Sequence, residues 1–210
     1  MKNFVVMFGF VLAAMLSSMA YAEYEDGHEY IKISSSPPVA KDAPIEVVEF
    51  FWYGCPHCFS FEPFIKKWLE NKPEDIKFSR IPATFNKIAK FHAQAFYALD
   101  LMGEADRLQG PMFDAMHNKK KKLATNDELN TFLAEQGVDL DTYKKAMKSF
   151  AVQTKVKQAQ STFRKYGLRG VPSMVVNGRY RSANVKDYQE LTDLIDYMIE
   201  LVREEQKTAG

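Results

Sequence analysis

The 210-residue chain carries 28 Lys and Arg against 27 Asp and Glu, so it lacks the basic excess of a nucleic-acid binder. Hydrophobic residues make up 46%, enough for a sizeable core, and only two cysteines are present, which excludes a scaffold stapled by many disulfides.

The chain begins MKNFVVMFGFVLAAMLSSMAYA, with a positive Lys2, an apolar stretch from Phe4 to Leu16 and a small-x-small site at Ala20-Tyr21-Ala22. This is the three-part pattern of a secretory signal peptide cut after Ala22. Its apolar stretch is shorter than the ~20 residues a membrane helix needs. The expected mature chain is 23–210, in a compartment where disulfides persist. No cysteine lies near the cleavage site, which argues against a lipid anchor. EYIKI (29–33) reads as a short strand and SSSPPVAKDAP (34–44) as a loop. IEVVEFFWY (45–53) is β-branched and aromatic throughout, so it reads as a central strand buried on both faces. A helix follows from Pro56, with Phe61, Phe64, Ile65, Trp68 and Leu69 on its apolar face and Pro63 as an expected kink. IKFSRIP (76–82) alternates like a strand.

From 85 to 166 the periodicity is helical. Ile88, Phe91, Ala95, Leu99 and Met102 mark one helix, closed by Gly103. Thr125 and Glu128 form a capping box before Leu129, Phe132 and Leu133. Asp141 is the expected cap of a helix through Tyr143, Met147 and Phe150; a further helix carries Val156, Ala159, Phe163 and Tyr166 and ends at Gly167. VPSMVVNGRY (171–180) then reads as a hairpin turning at Asn177-Gly178, and a last helix buries Leu191, Leu194, Ile195, Met198 and Ile199. The pattern is that of a small α/β core interrupted by helices.

The chemistry concentrates in EFFWYGCPHCF (49–59). A bridge between Cys55 and Cys58 closes a loop of only four residues. Such a loop is worth about 2 kcal/mol at best, so it is a poor structural staple. A structural zinc site needs four ligands. There is no second CxxC, and His28, His92 and His117 are scattered, so a metal is the weaker reading. His92, on or near an apolar helix face, reads as a core histidine with its hydrogen bonds met.

A redox pair fits better. Pro56 suits the first helical turn, which puts Cys55 at a helix N-terminus. Backbone N–H groups there stabilise a thiolate and lower its pKa. His57 adds a ring N–H and, when protonated, a charge. Cys58, one turn on, points inward. Cys55 is then the exposed nucleophile and leaving group, and Cys58 the buried partner. Stabilising the thiolate favours the reduced form, so the disulfide is readily given away and the protein acts as an oxidant. Pro56 and His57 set that direction.

EFFWYGCPHC, the helical insertion, RGVPSMVVNGRY and YEDGHEY near the mature N-terminus together resemble the DsbA family of bacterial periplasmic disulfide oxidases, over essentially all of 23–210. The resemblance implies an α/β thioredoxin fold with an inserted helical domain: signal 1–22, thioredoxin-like parts 23–84 and 167–210, inserted helices 85–166. It implies that Val171-Pro172 is a cis-proline loop facing the cysteines, where the Val171 backbone pairs with a bound peptide like an added strand. It also makes Glu49 a buried acid beneath the site, with a raised pKa suited to proton exchange with Cys58. The alternative for Glu49 is a strand-end carboxylate facing water.

The implied activity is donation of the Cys55–Cys58 disulfide to reduced, unfolded exported proteins by a periplasmic monomer. Reoxidation would fall to a quinone-linked membrane oxidase resembling DsbB. No cofactor is implied, because the dithiol carries the two electrons. The stretch Trp52-Tyr53-Gly54 departs from that of the best-known member, which bears on the surface near Cys55. Lys119 to Lys122 read as a solvated helix end or loop. The rival readings are a reductase or isomerase on the same fold, and a non-catalytic binding protein.

Overall fold

The computed structural model describes residues 24–34, 36, 41 and 43–208. The expected signal segment 1–22 and most of the loop 34–44 lie outside the described residues. Five strands form one sheet: β1 (Tyr30–Lys32), β2 (Ile45–Phe51), β3 (Ile76–Pro82), β4 (Ser173–Val176) and β5 (Tyr180–Ser182), in the order β1-β5-β4-β2-β3. β2 and β3 run parallel, joined through helix α1 (Pro56–Asn71); the other pairings are antiparallel. Five helices then intervene before β4: α2 (Lys87–Leu101), α3 (Ala105–His117), α4 (Asn126–Glu135), α5 (Leu140–Lys148) and α6 (Phe150–Lys165). α7 (Tyr188–Thr208) closes the chain.

β2 is an interior strand buried on both faces, as its continuous apolar run requires. Ile45 and Val47 pack with Phe61 and Ile65 of α1 and Leu194, Ile195 and Met198 of α7. Val48 and Phe50, alternating to the opposite side, pack with Val175 and Leu168. Trp68 of α1 ties the two covering helices together by donating from Nε1 to Asp196 at 2.7 Å. The β4–β5 hairpin turns at Asn177 (φ 53°) and Gly178 (φ 62°), both in the left-handed region that a tight two-residue turn demands.

The helical block shares its core with the end of β2: Phe51 and Tyr53 pack among Ala93, Phe96, Leu99, Leu108, Phe113 and Leu133. Thr125 caps α4 as expected, accepting from the Glu128 N–H, while the Glu128 carboxylate accepts from the Ala124 N–H. Four expectations need correcting. α5 is capped by Asp139, whose carboxylate accepts from the N–H groups of Asp141 and Thr142; Asp141 itself lies in the first turn. The buried arc of α2 runs through Ala89, His92, Phe96 and Leu99 rather than Ile88, which is 44% exposed, because α3, α5, α6 and β3 surround the helix on several sides. Phe150 does not complete the apolar face of α5 but opens α6 and is 86% exposed. On α1, Phe61, Ile65 and Trp68 are buried whereas Phe64 lies at the surface. Beyond these four, α3 has no counterpart in the sequence reading: Gly110-Pro111 looks like a break, yet the helix runs through it.

Candidate active site

β2 delivers the chain to a turn in which the Cys55 N–H donates to the Trp52 carbonyl at 2.9 Å. Cys55 is the N-cap of α1, Pro56 occupies the first turn, and the Cys55 carbonyl accepts the first helical bond from the Phe59 N–H at 3.1 Å. The capping acceptor is a sulfur: the Cys58 N–H donates to Cys55 Sγ at 3.4 Å, where a hydroxyl or carboxylate usually serves. Both cysteines are free thiols. From across the sheet, the Val171–Pro172 peptide is cis, and the Cys55 thiol donates to the Val171 carbonyl at 3.3 Å. That lid leaves Cys55 only 7% exposed, less than an open nucleophile, while Cys58 is sealed at 0%.

The two sulfurs are electrostatically unlike. The Cys55 pKa is pulled down to about 6, first by the Cys58 thiol donating to it, then by the backbone N–H groups of Cys58 and His57 and the charge of His57, all against burial. The helix N-terminus therefore contributes, and the partner thiol is the largest single contribution. Burial, followed by the hydrogen bond and charge of Cys55 and the charge of Glu49, drives Cys58 far above the usual thiol range. The Trp52 N–H opposes that rise. The His57 ring turns to the surface, with Nδ1 3.1 Å from the Tyr188 hydroxyl of α7.

Glu49 is wholly buried, which answers the sequence alternative of a solvent-facing carboxylate. Nor does it stand alone. Arg80 stands directly opposite it in the β2–β3 register, and its Nε donates to Glu49 Oε2 at 2.9 Å. Glu62 lies 3.8 Å from the same guanidinium and accepts from Gln109 Nε2 at 2.9 Å. Burial still outweighs Arg80 and raises the Glu49 pKa to about 7. Its other oxygen, Oε1, has no hydrogen-bond partner among the described residues. Arg80, Glu62 and Gln109 also line a cleft of about 970 Å³ together with the exposed Asp106.

Cys55, Cys58, Val171 and Pro172 thus converge, with Glu49 at the floor and the His57 ring held aside. The sequence reading missed Arg80, although a single arginine in an alternating strand beside one carrying a buried glutamate was the available signal. It also missed His117, whose Nε2 is 2.8 Å from the Tyr53 carbonyl, because the helix carrying it was missed. His92 is the satisfied core histidine expected: Nδ1 accepts from Trp52 Nε1 at 3.1 Å and Nε2 donates to the Leu123 carbonyl at 2.9 Å. Of the lysine run, Lys119 pairs with Asp114 and Lys121 with Glu135.

A family model described as a DSBA-like thioredoxin domain matches residues 80–196. The thiol:disulfide interchange protein DsbA of Pseudomonas aeruginosa is 40% identical over 206 residues, which is 97% of this chain and 98% of that protein. Its counterpart in Azotobacter vinelandii is 40% identical over 94% of this chain and 93% of that one. The crystal structure of Pseudomonas aeruginosa DsbA matches with a TM-score of 0.80 at 41% identity, covering 89% of this chain and 96% of that one. The oxidoreductase DsbA from Xylella fastidiosa matches with a TM-score of 0.79 at 32% identity, covering 86% and 98%. With a free cysteine pair at the head of α1 under a cis-proline loop, the chain belongs to the DsbA family of thiol:disulfide oxidoreductases and has its thioredoxin fold.

Proposed function

We propose that this oxidoreductase runs as a dithiol oxidase for exported proteins, with Cys55 as nucleophilic centre and leaving group and Cys58 as the buried partner. The observation that carries the reading is the opposed ionisation of the two thiols, one drawn down to about 6 and the other driven up by burial. In the disulfide form, a substrate thiolate attacks Cys55 Sγ. The Cys55–Cys58 bond breaks, and Cys58 leaves as a thiolate that takes up a proton. Glu49, with a pKa near 7, is the buried acid placed to supply that proton and regain it from solvent. A second substrate thiolate then attacks the substrate sulfur of the mixed disulfide, and Cys55 leaves as a stabilised thiolate. Two electrons pass from substrate to the cysteine pair, and no cofactor enters.

Pro56 fixes the first turn of α1, and His57 supports the Cys55 thiolate through its backbone N–H and its charge. Val171 and Pro172 form the rail on which an extended substrate chain pairs with backbone. Residues 1–22 serve as a cleaved signal, which places the enzyme in the periplasm; the pattern of Lys2, the apolar stretch and Ala20-Tyr21-Ala22 supports this. The working division is a thioredoxin-like domain from 23–84 and 167–210 with an inserted helical domain at 85–166. The enzyme acts as a monomer, and a quinone-linked membrane oxidase resembling DsbB restores its disulfide.

The test is anaerobic mixing of the disulfide form with a reduced, unfolded protein and no other oxidant. One disulfide should appear in the substrate for each enzyme molecule, leaving both enzyme thiols free. Absence of transfer, or equal transfer by the Cys55→Ser variant, would overturn the reading.

A further inference from the structure

The turn from Trp52 to Cys55 meets the backbone of one cysteine and the thiol of the other. The Trp52 carbonyl holds the Cys55 N–H at 2.9 Å, and the Trp52 N–H acts on Cys58. The Trp52 backbone is held within the turn, and its side chain is held from the helical block. The indole Nε1–H donates to His92 Nδ1 of α2 at 3.1 Å, and the ring stands edge-on to Phe85 at 5.4 Å. It also lies so close over Gly54 that an added Cβ there would sit 2.4 Å from the indole. Glycine at 54 is therefore what lets the indole fold back on its own turn.

His92 is itself locked. Because Nδ1 accepts from the indole, the proton belongs on Nε2, which donates to the Leu123 carbonyl at 2.9 Å. Leu123 holds φ at 47°, a left-handed conformation uncommon for a branched residue, and that carbonyl is what meets the histidine. The second attachment comes from the end of α3. His117 Nε2 donates to the Tyr53 carbonyl at 2.8 Å, and its ring stacks on Phe59 of α1 at 4.8 Å and 8°. Two imidazoles from two helices thus grip two consecutive residues just ahead of Cys55.

We propose that His92 and His117 are positioning residues for the redox centre, holding the Trp52–Gly54 turn so that both sulfurs keep their geometry. The helical block is then part of the catalytic apparatus and not only a cover. This rests on the oxidase reading for its consequence, since the geometry held is the one that stabilises the Cys55 thiolate.

The two contacts of His92 can be separated chemically. An asparagine oxygen takes the place of Nδ1 and keeps the Trp52 bond; a glutamine amide nitrogen takes the place of Nε2 and keeps only the Leu123 bond. The readout is the ultraviolet absorbance titration of the Cys55 thiolate, with Trp52 fluorescence followed in a Trp68→Phe background. His92→Gln should move the Cys55 titration upward by about half a unit, roughly a threefold change in ionisation. His92→Asn should stay near the parent, and its Trp52 emission should stay with it. Trp52→Phe, which leaves His92 and Leu123 intact, should reproduce the His92→Gln shift, and the Trp52→Phe/His92→Gln pair should be no worse than either alone. In parallel, His117→Phe, which keeps the stacking but loses the donor, should shift the titration, and His117→Gln should not.

If His92→Asn shifts while His92→Gln does not, the histidine merely anchors the Leu123 segment, and the proposal fails. It fails equally if Trp52→Phe titrates like the parent. These differences between variants stand whichever way the parent enzyme runs, so failure of the oxidase reading, seen in the parent's own equilibrium with glutathione, is told apart from failure of this one.

Discussion

Cys55 and Cys58 sit one helical turn apart, yet the head of α1 and the floor beneath it are opposite solvents. At the head, donors converge on a sulfur at the edge of solvent: the Cys58 thiol and the N–H groups of Cys58 and His57. At the floor, a sealed sulfur faces apolar packing and, beyond it, a carboxylate that burial holds near pKa 7 despite its arginine. The difference teaches that the motif alone does not divide the labour. The Cys58 thiol and the N–H groups of the helix end together favour ionisation of one sulfur, and burial suppresses that of the other.

The largest expected effects come from exchanging the two environments' occupants. Cys55→Ser should reduce disulfide transfer to the uncatalysed background, measured with a reduced protein substrate. Cys58→Ser, first loaded at Cys55 as a mixed disulfide with glutathione and then offered a reduced substrate with a single cysteine, should release glutathione as a thiol and keep the substrate disulfide-bonded at Cys55, visible as a covalent species on a non-reducing gel. Transfer by Cys55→Ser through Cys58 alone would break the comparison.

Next is the floor. Glu49→Gln should slow transfer by about 100-fold near neutral pH, the lower end of the scale of losing a placed proton donor, and should remove the rate inflection near pH 7. Its stability has a sign as well. The folded pKa of Glu49 is raised from 4.5 to about 7, so its contribution is fully present below about 4.5 and lost as pH rises through 7. The loss is on the order of 3 kcal/mol. Denaturant titrations at pH 4.5 and 8 should show this fall in the parent and not in Glu49→Gln.

The head gives the reverse slope. Cys55 is depressed from 9.0 to about 6, so its stabilisation of the dithiol form is present above pH 9 and lost as pH falls through 6. The disulfide form carries no such group. Paired unfolding measurements should therefore show the dithiol form gaining on the disulfide form between pH 6 and 9. The smallest effect belongs to His57. Its ring is turned to Tyr188 and its charge is the last of the named contributions to Cys55, so His57→Ala should make the disulfide less oxidising by only about threefold, read by glutathione equilibrium.

The core was legible because its signals are local: the unbroken apolar run of β2, Asn177-Gly178 at the hairpin, and Pro56 at the first turn of α1. Cys55, Cys58 and Pro56 were legible for the same reason. What the sequence concealed depends on pairing across distance. Arg80 meets Glu49 only through the parallel register of β2 and β3, 31 residues apart in the chain. His117 reaches Tyr53 from a helix whose Gly110-Pro111 reads as a stop, although packing of Leu108, Met112 and Phe113 carries it through. The cap of α5 moved from Asp141 to Asp139 because two nearby aspartates offer the same signal, and only backbone geometry chooses between them.

The redox equilibrium of the purified enzyme with glutathione bears most directly on the central claim, that the surroundings of Cys55 and Cys58 make the pair an oxidant. The disulfide should prove far easier to reduce than that of thioredoxin, whose potential is about −270 mV. A potential at or below that of thioredoxin would mean that stabilising the Cys55 thiolate does not set the direction of the reaction.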